Sequence, residues 1–109
     1  MHPDIAKYLE DIRLSIEIIA HHVSDVSSLE DYQLEITKID AVERRLAIIG
    51  EALFKADKLD KRLQISDKTK IIALRHILVH EYDLIEDSTI WNIIHKNLPL
   101  LKQEVNNLL

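Results

Sequence analysis

A single glycine, Gly50, and two prolines, Pro3 and Pro99, are all the backbone punctuation this chain of 109 residues contains. Tight hairpin turns rely on glycine at positive φ, and a sheet of several strands needs many of them. A chain this poor in turn residues folds as helices. The same scarcity excludes a glycine-rich dinucleotide fingerprint and a phosphate-binding P-loop. Cysteine is absent, which removes disulfides, thiolate zinc sites and cysteine nucleophiles together. At this length one domain, residues 1–109, is expected, large enough to bury a core without staples.

The apolar spacing supports the helical reading. Pro3 suits a first helical turn and Asp4 its positive end. Behind them Ile5, Tyr8, Ile12, Ile16, Ile19 and Val23 recur at steps of three and four, predicting a helix to about His22. Ser27 or Ser28 can cap the next element. From Leu29 a second stripe, including Tyr32, Ile36, Ile39, Leu46, Ile49 and Leu53, predicts one long helix to about Ala56. Gly50 is its weak residue, costing about 1 kcal/mol relative to alanine, so close packing of a neighbouring helix is expected there. Residues 57–65 form a charged loop. Ser66 is the expected cap of a third helix that runs through IIALRHILVHEY. Asp87 or Ser88 would cap a fourth from Thr89 towards Asn107, kinked or split by Pro99. Together these predict an all-α, up-and-down bundle of four to five helices.

No apolar run approaches the 18 residues of a membrane span, and the opening MHPDIAKYLEDIR lacks a signal-peptide core. A cytoplasmic protein without membrane contact is the expectation. A net charge of −5 argues against indiscriminate coating of nucleic acid. The charge is uneven, however. Between Lys55 and His76 seven Lys/Arg face three Asp, a local balance of +4 that leaves −9 on the remainder.

That basic stretch leads into the one motif with chemistry, Arg75-His76-Ile77-Leu78-Val79-His80-Glu81-Tyr82: an Arg, four residues, a His, any residue, a Tyr. The pattern resembles the HEPN superfamily, specifically its HepT-like branch of small helical proteins. There, Arg, a polar residue and then His four to six residues on mark a metal-independent ribonuclease site. The polar residue is often Asn, and His76 stands in its place here. The resemblance extends over nearly the whole chain. AVERRLAIIGEALFKADKL looks like the family's second-helix signature around Gly50-Glu51-Ala52, and STIWNIIHKNLPLLKQEV resembles its last helix.

The residue types fit that chemistry. Cleaving RNA without a metal moves one proton off the 2′-hydroxyl and another onto the departing 5′-oxygen, and it stabilises the phosphorane between. Histidine, with a reference pKa near 6.5, can serve either proton role near neutrality. Arginine stays charged, and its planar fork matches two phosphate oxygens. Arg75 is therefore the expected clamp and His80 the proton carrier, with His76 supporting. One histidine cannot be acid and base at once. At 3.6 residues per turn, Arg75 and His80 also lie about 140° apart, whereas Arg75 and Tyr82 would share a face. Pairing this helix about a two-fold axis eases both difficulties. The resemblance implies just such a homodimer with a composite site, so an isolated monomer is expected to be inactive.

The resemblance further implies a toxin–antitoxin pair, in which an MntA-type nucleotidyltransferase antitoxin attaches AMP to Tyr82 and silences the nuclease. A bulky anion beside the clamp would repel an RNA phosphate. Transfer RNA is the substrate the family suggests. Lys68 and Lys70 are expected to hold the RNA backbone, and no cofactor is called for.

Other readings of the same residues remain open here. His76 and His80, spaced i, i+4, have metal-ligand spacing, but no HExxH glutamate lies between them, so no metal is assigned. Glu51 could orient Arg75, or pair with Arg44, Lys55 or a neighbouring helix. Arg44 and Arg45 resemble residues of the family too, and surface ion pairs explain them equally well. The second functional reading is a non-catalytic subunit presenting substrate or nucleotide to a nucleotidyltransferase.

Overall fold

Pro3 opens α1 (Pro3–Val23) in a computed structural model that describes residues 1–109. The side chain of His2 caps it, Nδ1 accepting from the Asp4 N–H at 3.0 Å, a role the sequence reading did not give it. α1 buries Ile5, Leu9, Ile12, Ile16, Ile19 and Val23. Leu9 belongs to the core in place of Tyr8, which lies half-buried at the edge of the stripe.

The expected long second helix is broken. Ser28 caps a short α2 (Leu29–Gln33), accepting from the Asp31 N–H at 3.1 Å, and α3 (Ile36–Leu59) starts afresh two residues later. Tyr32 gives the reason. Its ring is wholly buried, 5.3 Å from that of Trp91, and turning α2 toward the last helix achieves this. Burial of the ring contributes about 2 kcal/mol or more, set against a hydroxyl that is buried without a hydrogen-bond partner. Leu34 and Ile36, at the joint, are left exposed.

α3 is the central rod. Lys38 near its start pairs with Asp25 just past the end of α1, and Lys55 near its end reaches Tyr8 near the start of α1. The two helices are therefore antiparallel. α3 also runs antiparallel to α4 (Lys68–His80), because Asp57 pairs with Lys68 while Gly50 meets Ile71 and Arg75 further along. Val42, Leu46, Ile49 and Leu53 of α3 are completely buried in a single core of 24 residues.

Ser66 does not cap α4. Its N–H and hydroxyl both donate to the Glu104 carboxylate, at 3.0 and 2.8 Å, tying the loop to the last helix. Asp67 is the residue before α4, and its carboxylate accepts from Asn97 at 2.8 Å. The helix is also shorter than expected. It ends at His80, and Tyr82–Leu84 form a 3-10 turn.

The final rod runs through α5 (Asp87–Asn92), a π turn (Ile93–Asn97) and α6 (Leu98–Leu108). Asp87 is its first residue rather than its cap. Pro99 neither splits nor sharply ends it. Lacking an N–H, it sits in the first turn of α6, while the Leu98 N–H reaches the Ile93 carbonyl across the widened turn before it. Ile90, Ile93, Leu98, Leu101 and Val105 close the core. The result is an all-α up-and-down bundle. No helix is long and apolar enough to cross a membrane.

Candidate active site on the fourth helix

Gly50 positions the site. A Cβ there would lie 2.9 Å from both the Arg75 nitrogen and the Ile71 carbonyl oxygen, and 3.2 Å from the Arg75 Cβ. Only a glycine lets α3 approach α4 this closely, and the contact falls at the backbone of Arg75. The close helix packing expected at Gly50 is therefore present, and its partner is the motif helix.

Residues one and four positions past that glycine then fix the arginine side chain. Arg75 Nη1 donates to Glu51 Oε2 at 3.3 Å, and its guanidinium lies 3.6 Å from the centroid of the Phe54 ring. The other Glu51 oxygen stands 3.9 Å from Lys55. Of the partners open to Glu51, the structure thus selects Arg75 and Lys55. One carboxylate and one aromatic face hold the fork in place while about a third of the side chain stays exposed. Its remaining donors are available to an anion.

His76 and His80 sit on the exposed side of α4 with ring centroids 4.9 Å apart. No group of three or more His, Asp or Glu gathers anywhere in the chain at metal-holding range. His80 is the last residue of the helix. Tyr82 lies beyond the helix end and is 74% exposed. It does not share the expected helical face with Arg75, because the helix stops two residues short of it.

The basic stretch divides. Burial raises the Asp57 carboxyl, but Lys61 at 3.0 Å and Lys68 at 3.1 Å outweigh it and hold the group below the usual carboxylate range. Lys68 also donates to the Lys61 carbonyl at 3.2 Å, so its charge is spent within the protein. Lys70 is exposed and forms no ion pair.

A cleft of about 350 Å³ opens beside Arg75, between α1, α3 and α4. Lys7, Tyr8 and Asp11 line it from α1, Arg44, Glu51 and Lys55 from α3, and Val79 with Arg75 from α4. His76, His80 and Tyr82 lie outside it. Arg44 makes no ion pair, so the surface-pair reading of that residue does not hold. Lys7 and Phe54 belong to no motif, and the spacing of Tyr8 is that of a core position. Nothing in their spacing distinguishes them from core or surface positions, because only the crossing of three helices brings them together.

The fold is that of a small helical-bundle protein that carries an arginine and two histidines on its fourth helix. The family model for "Ribonuclease HepT-like" proteins matches residues 12–108. The chain is 33% identical over 104 residues to a protein of Caldanaerobacter subterraneus named "Putative RNase", covering 94% of this chain and 91% of the relative. It is 31% identical over 102 residues to a "Probable ribonuclease HepT" of Thermococcus cleftensis, covering 93% and 92%. A third relative, from Methanocaldococcus jannaschii, is named "Gamma-glutamylcyclotransferase and putative RNase" and is 32% identical over 107 residues. That match covers 96% of this chain but 47% of the relative, so the chain spans about half the length of that protein. No solved structure gives a significant match. The chain belongs to the HepT-like ribonuclease family.

Proposed function

We propose that the protein is a metal-independent endoribonuclease acting at a site centred on Arg75 and His80. The observation that carries this reading is the pre-set guanidinium. Glu51 and Phe54 hold Arg75 without consuming all its donors, which is what clamping a phosphorane requires. In the reaction the 2′-oxygen attacks phosphorus and its proton leaves to one imidazole. The P–O5′ bond breaks, and the 5′-oxygen takes a proton from another. The products are a 2′,3′-cyclic phosphate and a 5′-hydroxyl.

With His76 in a supporting role, base and acid are two copies of His80, and these call for two chains. The exposure of α4 supports a homodimer formed through it. Seven of its thirteen residues are apolar, yet only Ile71 and Leu74 are buried. A surface helix apolar on most sides is one that pairs with something. Two copies of α4 side by side would supply one His80 as base and the other as acid. Lys70 would contact the RNA backbone, with Lys68 acting indirectly by ordering the loop before α4.

The same reading includes a cytoplasmic toxin–antitoxin pair, with an MntA-type nucleotidyltransferase as antitoxin and transfer RNA as substrate. The exposure of Tyr82 supports its role as AMP acceptor, since a modifying enzyme needs the hydroxyl accessible.

The test is cleavage of labelled transfer RNA in EDTA by unmodified protein, its mass checked, comparing wild type with His80→Ala. Loss of about 10²- to 10⁴-fold in the variant is expected. Equal inactivity of both dimeric proteins across several RNAs would sink the nuclease reading in favour of a non-catalytic subunit serving a nucleotidyltransferase. Separately, Lys70→Glu should weaken RNA binding and flatten its salt dependence, whereas Lys68→Glu should chiefly loosen the loop.

A further inference from the structure

The cleft beside Arg75 has a composition that neither the phosphate clamp nor the core explains. Four cations and two carboxylates line it: Lys7 pairs with Asp11 at 3.0 Å, Arg75 and Lys55 share Glu51, and Arg44 is left unpaired, a balance of +2 in a chain whose net charge is −5. Such a concave, locally positive site selects an anion. A bare phosphate, however, has no use for the other half of the lining. Tyr8 presents a half-buried ring flanked by Lys7 and Lys55, whose ammonium groups lie 5.7 and 5.9 Å from its centroid. Ala47, Ile48, Ala52 and Val79 complete an apolar wall.

We propose that this cleft is a nucleotide subsite. It seats one unpaired base against Tyr8, while the phosphate of the same nucleotide lies between Arg75 and Arg44. A nucleotide combines an anion, a flat π-face and polar edges in one ligand. The cleft offers the matching set: cations, an aromatic ring, and the second Asp11 oxygen, Oδ1, to accept from base or ribose while Oδ2 holds Lys7. About 350 Å³ lies at the lower end of small-ligand pockets and suits a single nucleotide. A base held this way is out of any duplex stack, so the RNA strand is single at that position. The assignment deepens the ribonuclease reading, and rests on it for making the seated phosphate the one that is cut.

The test titrates the full chain with the four nucleoside 3′-monophosphates and, separately, with inorganic phosphate, followed by calorimetry. At least one nucleotide should bind about tenfold or more tighter than phosphate, and Tyr8→Ala should remove about that factor. Tyr8→Phe should keep it, since the ring is retained. Arg44→Glu, at an exposed position that leaves the fold intact, should weaken nucleotides and phosphate alike. The proposal is overturned if phosphate binds as tightly as every nucleotide, or if Arg44→Glu leaves nucleotide affinity unchanged. RNA cleavage assayed on the same preparations separates the two readings. Nucleotide binding without cleavage keeps the subsite and removes the nuclease. Cleavage without nucleotide binding removes the subsite alone.

Discussion

The α1–α3 seam and the outer side of α4 are built from similar residues and end in opposite states. Along the seam, Leu9, Ile12, Val42, Leu46, Ile49 and Leu53 are all completely buried. On α4, Ile72, Ile77 and Leu78 are only partly covered, and Val79 is 56% exposed beside Arg75, His76 and His80. Apolar content alone therefore does not say which surfaces a chain seals. The seam is where this protein stores its stability. The α4 surface is where unused apolar area and unspent charge lie together, the combination expected of a surface that binds a partner or substrate.

That contrast can be broken most sharply at Arg75. Arg75→Lys keeps the charge but loses the planar fork and its fit over Phe54, so RNA cleavage should fall about 10²-fold or more. Thermal stability should barely move, because the side chain is part-exposed. A melting-temperature loss equal to that of a core variant would show that Arg75 belongs to the seam. The core counterpart, Leu46→Ala, should cost about 3 kcal/mol in denaturant unfolding, with cleavage by the folded fraction unchanged. Gly50→Ala couples the two regions. The added methyl meets α4 backbone at 2.9 Å, and overpacking of about 1–3 kcal/mol exceeds the helix-propensity gain of about 1 kcal/mol. Both stability and cleavage should drop together, since displacing α4 moves Arg75.

The smallest effects are those of pH. Burial, then Asp87 and Asp40, raise the Glu43 carboxyl above its ordinary value of 4.5. Its ionisation favours unfolding, so this contribution declines as pH climbs from the ordinary value through the raised one. Glu43→Gln should stabilise the protein at pH 7, an advantage that disappears below about pH 4 in urea titrations. Asp57 acts in the opposite sense. Its carboxyl is depressed, so its stabilisation is present above the ordinary value of 3.8 and lost as pH falls through the depressed one. Asp57→Asn should therefore destabilise at pH 7 and be nearly neutral in strong acid.

Much of the site could be read from the order of residues alone. Arg75 and His80 lie five apart within one segment, so any helix there carries both. Glu51 could be suspected because it follows Gly50, the one residue whose presence in a helix asks for a close neighbour. By sequence Arg44 is open as a partner of Glu51, but it pairs with nothing. Lys7 and Tyr8 could not be read, since their helix is far from Arg75 in sequence and a half-buried tyrosine has the same spacing as a core one. Phe54 shares the helix of Glu51, but nothing in its spacing marks it as the ring under Arg75. Tyr82 shows the converse error. Extending the helical period two residues too far put it on the face of Arg75, when the chain had already left the helix.

The sequence by itself determined that this protein is helical, where most of its turns fall, and which short segment sets Arg75, His76 and His80 together. These follow from local causes: turn residues, apolar period and residue type. Only the tertiary structure decided where the second helix breaks, which lysine stays unpaired, and what surrounds the arginine. Each of those is settled by competition between distant surfaces for burial and for charge, and no window of neighbouring residues contains both competitors. Tyr32 breaks a helix to reach Trp91, and Asp57 takes Lys68 but not Lys70.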